Sequence, residues 1–319
     1  MRLQQPNRLE AEAGLRAMRQ LALARGEFGT ASRALIAAAQ RQVLHTDFAI
    51  DSLPPISPEE LAAAFRDPAL AHQFVQGMTV VSLADGPPTE AQGKLMSSYA
   101  GALGVDEPAV RVLNELANHH MVLFKLDFMR RSHLADMVKG AVHRDGFIAT
   151  ARAIAGQRGW REDPAVAARY HALEQLPTDT LGYAFWKHCT DNGFAFPGEP
   201  FGFPEAGVYH DFTHVLSSYS TEPSGEVQIG GFTAGYKKHI PIMVILFVIL
   251  TFSAGINVTP VDQPVSLGIL AQEGLADGFF VAVERGSHVP IDLSDGWDHW
   301  GWVEKPLEQA RAELNIPPL

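Results

Sequence analysis

From Ile240 to Val261 the chain reads IPIMVILFVILTFSAGINVTPV, without one charged side chain. A segment of this kind has to leave water, and that constrains the fold more than any other feature. Crossing a bilayer takes roughly 20 predominantly apolar residues in one helix. The run is long enough, but Pro241, Gly255, Asn257 and Pro260 interrupt it, and its densest part is only Met243 to Leu250. The sequence therefore favours a helix buried in a core, or one lying on or partly in a membrane, over a spanning helix. Lys237, Lys238 and His239 precede the run, where they can meet lipid phosphates or snorkel at its edge.

The remainder reads as helices joined by turns. Alanine, leucine and arginine dominate from Leu9 to Thr46, with apolar positions recurring at three and four, which predicts helix. Ser57, Pro58 and Glu60 form a helix start with a capping box. Thr89 and Asp106 are candidate caps, and VRVLNELANHHMVLFKLDFM predicts one continuous helix. Pro177 and Thr178 lead a further helix from about Asp179 to Thr190, stopped at Asp-Asn-Gly. A polar, glycine-bearing stretch between Asp136 and Asp163 is the candidate join between two units. The expectation is an all-α protein of two helical bundles, residues 1–140 and 141–319.

Charge and cysteine narrow the function classes. With 319 residues, a net charge of −11 and no basic run longer than Lys237-Lys238 or Arg130-Arg131, a nucleic-acid partner is not expected. A lone cysteine, Cys189, rules out a disulfide framework within the chain and a four-cysteine zinc site. The polar, amphipathic N-terminus lacks the apolar core of a secretory signal, so a cytoplasmic location is expected.

The chemistry gathers in YHDFTHVLSSYSTEPSGEVQ, Tyr209 to Gln228. In a helix, His210 and His214 share a face and can offer two ring nitrogens to one ion. Asp211 lies about 100° further round, close enough for a short carboxylate to bend toward the same point. SSYSTEPSG breaks the helix; Ser224 is a candidate N-cap, and Glu226 falls in the next first turn. In an antiparallel hairpin turning near residue 220, His214 and Glu226 lie level. Two histidines and two carboxylates suit Zn2+, Fe2+, Mn2+ or Co2+ without choosing among them. Ordinary polar residues on two helices, with Glu226 favourable for the helix dipole alone, are the competing reading.

His210-Asp211-Phe212-Thr213-His214, eleven residues, then Glu226 resembles the signature of the ubiquinone (coenzyme Q) biosynthesis Coq-four family. LPTDTLGYAFWKHCTDNGF, STEPSGEVQIGGF and WVEKPLEQARAELNI are similar to the family's flanking segments and fall in the right order, over about residues 165–319. The resemblance implies a divalent ion, usually described as zinc, on His210, Asp211, His214 and Glu226. It implies two roles: organising biosynthetic proteins on a membrane, and replacing the ring carboxylate of a polyprenylated precursor with hydroxyl. It also implies a prenyl lipid or quinone precursor as ligand; beside such a ligand, a helix carrying Ile240, Met243, Val244, Phe247 and Ile249 can line a tail groove or rest against lipid, with plain core of a dimer or bundle as the competing reading. A peripheral position on the inner membrane face, and a homodimer or biosynthetic complex, go with that reading.

The N-terminal half is similar to the TerB-like tellurite-resistance fold, on LALARGEFGTASRALIAAA and MTVVSLADGPPTEAQGKLMSSYAGALGV. In that family two similar helix–acidic-loop–helix units repeat, and the resemblance implies the same here. Asp85 and Glu90 sit where such domains carry acidic loop residues, and equally where a helix begins and is capped. Two other functions compete with the quinone reading: a scaffold in which the ion only clips two helices, and a hydrolase resembling the His-Asp phosphohydrolases. His119-His120, Cys189, Trp297, Trp300 and Trp302 read as structural, while Asp298 and His299 could reach the metal pocket.

Overall fold

Capping chemistry divides the first half into helices. The structure, a computed structural model, describes residues 1–121, 124–125, 128, 162–258 and 264–319. The helices are α1 (Arg8–Leu23), α2 (Thr30–Ala39), α3 (Pro58–Ala64), α4 (Pro68–Leu83), α5 (Glu90–Ala102) and α6 (Pro108–Ala117). Ser57 and Glu60 form the capping box of α3, and Thr89 pairs likewise with Gln92 at α5. The cap of α6 is Glu107, one residue beyond the expected Asp106.

The helix expected from Leu9 to Thr46 is broken between Leu23 and Thr30. Gly26 there takes φ +120°, and the matching Gly86 takes φ +127° in the same kind of turn after α4. Propensity does not register such a turn, because only the glycine carries it. The two turns hold each other. Gly29 caps α2 without a side chain, and Asp85 of the other turn accepts from Ala31 N at 2.8 Å and Ser32 N at 3.1 Å. Arg25 donates to Pro87 O at 2.7 Å. Asp85 is thus a cap, while Glu90 lies in an exposed pair with Lys94. The helix expected through Met129 is interrupted after Ala117, where His119 takes φ +59°, and helical backbone resumes at Met121. The expected boundary at residue 140 lies outside the described residues.

The second half supplies α7 (Pro164–His171), α8 (Leu181–Asn192), α9 (Tyr209–Ser217), α10 (Pro223–Tyr236), α11 (Ile242–Phe252), α12 (Leu275–Ser287) and α13 (Leu307–Glu313). Two isolated bridges, Thr180 with Pro306 and Ala254 with Leu267, are the β pairings among the described residues. The protein is all-α.

The uncharged run becomes α11. Its eleven residues span about 16 Å at 1.5 Å per residue, against the roughly 30 Å of a bilayer core. No described helix is long and apolar enough to cross a membrane. Met243, Leu246, Ile249 and Leu250 are instead packed into one apolar core with Leu15, Val75, Met78 and Phe128 of the first half. Each such side chain taken from water is worth about 1.5–3 kcal/mol. Glycines let α10 and α12 approach backbone to backbone: a Cβ at Gly286 would stand 2.0 Å from Phe232 O. Tyr170, Phe185, Phe212, Phe232 and Leu314 build a second core, on which the candidate site is mounted.

Candidate metal centre

The motif lies on a helix hairpin, α9 and α10. Ser218, with φ +64°, ends α9, and its N–H returns to His214 O at 2.9 Å. Two arginines close that end. Arg311 donates to Val215 O, Leu216 O and Ser218 Oγ, and Arg285 donates to Ser217 O. Cations at a helix C-terminus meet its negative end, so they fix the helix that carries both histidines. The chain then reverses to Pro223, the first residue of α10; Glu222, not Ser224, is the N-cap. The reversal is tight: a Cβ at Gly225 would stand 2.0 Å from Ser220 O. Only glycine fits beside the turn, and it delivers Glu226 to the first turn of α10.

The hairpin brings the predicted partners level. Ligand atoms of His210, His214 and Glu226 all lie within 4.8 Å of one another. Glu226 lies between the imidazoles, with Oε2 3.2 Å from His210 Nε2 and Oε1 3.3 Å from His214 Nε2. Asp211 takes a different place. Its Oδ1 is 3.3 Å from His210 Nδ1, the nitrogen across the ring from Glu226. A carboxylate there orients the ring and raises its basicity, as partners of metal-bound histidines commonly do.

His214 carries the decisive detail. Its Nδ1 lies 3.1 Å from Tyr219 O, to which it donates, so in the neutral ring Nε2 holds the lone pair. That Nε2 is buried without a hydrogen-bond partner, although a carboxylate oxygen stands 3.3 Å away. A lone pair and a carboxylate oxygen repel unless a proton or a cation lies between them. The residues present fit a divalent ion, with two imidazole nitrogens and a carboxylate as donors.

Burial alone would lower the pKa of His210, but the Glu226 charge and hydrogen bonds to Asp211 and Glu226 outweigh it and hold the imidazolium up to about 10. Burial likewise pushes Glu226 up, and the charge and hydrogen bond of His210, with a smaller contribution from His214, bring it down to about 2. The ion-free site is therefore an ion pair. His214 is closed to solvent, while the His210 side chain is 35% exposed and Glu226 21%. Three donors with an open side match zinc sites that keep a position for water or substrate; structural zinc sites are closed by four protein ligands.

His188 of α8 also stands beside the site. Its ring stacks on His214 with centroids 5.5 Å apart, and its Nε2 is buried without a partner. Desolvation lowers its pKa. No spacing ties position 188 to 210, so only the packing of α8 on α9 reveals it. Phe203, itself partly exposed, stacks on His210 with centroids 6.4 Å apart.

Other candidates lie elsewhere. His299 Nε2 is 2.9 Å from Tyr170 OH in the second core, apart from the converging ligand atoms. Cys189 is buried, and burial raises its thiol pKa. His119 and His120 are exposed beyond α6. Among the apolar residues expected to line a tail groove, Met243 and Val244 are buried, Phe247 is partly buried and Ile240 is 48% exposed. Lys237 is buried and donates to Ser294 Oγ at 2.8 Å, while Lys238 and His239 are exposed.

No protein-family model and no curated protein matches this chain. One solved structure resembling it is named a "putative ubiquinone biosynthesis protein" from Nostoc punctiforme, at 16% identity and a TM-score of 0.36. That likeness covers 66% of this chain and 97% of the other, and is too loose to carry an argument about structure or function.

Proposed function

We propose that the protein holds one divalent ion on His210, His214 and Glu226 and, at its open side, binds the anionic head of a prenylated aromatic lipid in quinone-type metabolism. The observation that supports the metal is the buried Nε2 of His214, unpartnered and turned toward Glu226. The resemblance of the His-Asp-x-x-His…Glu pattern to the Coq-four family supports the ligand class. When bound, the ion supplies a Lewis acid able to grip a carboxylate or phenolate.

The chain's own residues do the positioning. Asp211 holds the His210 ring from behind, Tyr219 O fixes the tautomer of His214, and Phe203 stacks on the His210 ring. Three donors with an accessible side favour a reactive centre over an ion that only clips helices together. A scaffold organising biosynthetic partners on a membrane is the second reading. The direct test is equilibrium binding of a prenylated hydroxybenzoate to the metal-loaded protein and to Glu226→Ala. We expect saturable binding that the substitution weakens at least tenfold. Equal affinity in both would overturn the ligand assignment while leaving the metal assignment standing.

A further inference from the structure

A second apolar site lies in the other half of the molecule. A half-open cavity of about 130 Å3 runs between α1, α2 and α4 on one side and α11 and α12 on the other. Ile36, Phe65, Phe74, Val80, Ile245 and Phe279 are among its walls. It does not include His210, His214 or Glu226. Met1, Leu3 and Pro6 of the N-terminal stretch also line it, and Gln4 is hydrogen-bonded to Gln73.

The space is too large and too apolar for water. At about 30 Å3 of liquid volume per water, such a cavity has room for about four, each needing two to four polar partners. The polar side chains at its edge are already engaged. Glu10 accepts from Asn7 N at 2.8 Å, Gln73 exchanges two hydrogen bonds with Gln4, and Gln76 donates to Glu107 at 2.9 Å. Apolar cavities of about this size take up apolar guests. Glycines contribute to the opening: at Gly77, where any larger residue would project a side chain, a Cβ would meet only Met18 Cε, at 3.1 Å.

We infer that this cavity binds the hydrocarbon chain of a lipid, at a site separate from the metal centre. The walls offer dispersion contacts and no free donor or acceptor, so they recognise a chain rather than a headgroup. Acyl and prenyl chains share that chemistry, and the experiment separates them.

The test uses the full chain and a fluorescent fatty acid, displaced by either dodecanoic acid or farnesol. The expected result is saturable binding of about one probe per chain, with displacement by one competitor at least tenfold tighter than by the other. Preference for dodecanoate assigns an acyl chain, and preference for farnesol a prenyl chain. Gly77→Leu fills the space next to a flexible methionine end, and Ala39→Phe fills it from the end of α2. Each should weaken the probe at least tenfold while metal content and the cooperative thermal transition are kept. Absence of binding to the unsubstituted protein would overturn the inference whatever the variants do. So would equal affinity in the folded variants. Metal content is read on the same samples, so failure here is distinguishable from failure of the metal centre.

Discussion

Metal uptake at the hairpin should be linked to pH, and the slope follows from the ion-free site. His210 is held protonated, with its pKa raised to about 10, by Glu226 and Asp211. A metal ligand must give up that proton. Between the ordinary histidine value near 6.5 and about 10, each bound ion therefore displaces about one proton, and the apparent association constant rises about tenfold per pH unit. From pH 6.5 to 8.5 the gain is about a hundredfold. Competition between Co2+ in the site and a chromophoric chelator measures it. The ion-free protein gives the converse. Because the folded-state pKa is raised, the stabilisation from His210 is fully present below about 6.5 and is lost as pH rises through about 10. Its thermal midpoint should fall over that window, and that of the metal-loaded protein should fall less. A pH-independent affinity, or equal slopes in both proteins, would refute the ion-pair account of the empty hairpin.

Other consequences follow from the same geometry. Asp211→Asn keeps the shape but weakens the hold on His210 Nδ1, and should cost roughly 10–100-fold in metal affinity by chelator competition. Arg311→Ala removes the cap on α9 and leaves Val215 O and Leu216 O without that partner; urea unfolding should show a loss of about 1–3 kcal/mol. Gly225→Ala forces a methyl against Ser220 O; we expect about 1–3 kcal/mol of destabilisation, with metal binding weakened in the fraction that remains folded.

The hairpin was legible in the sequence because its information is local. The i, i+4 pair, the helix-breaking turn and a midpoint near residue 220 place His214 level with Glu226 without any long-range contact. The all-α class was legible from periodicity and caps for the same reason. What the sequence did not reveal depends on contacts between distant segments. His188 joins the site through the packing of α8 on α9. Asp85 caps α2 across 54 residues of chain, and the break at Gly26 rests on a single residue's backbone freedom. The destination of the uncharged run was left between core and membrane. α11 is core because α4 of the first half packs against it, which no local pattern encodes.

The account stands on a cation filling the gap between two imidazoles and one carboxylate. Elemental analysis of the purified protein beside its His214→Ala variant tests this most directly. We predict about one divalent ion per chain in the unsubstituted protein and less than about a tenth of that in the folded variant. A protein that takes up no divalent ion even when one is supplied, or a variant that retains its full complement, would contradict it.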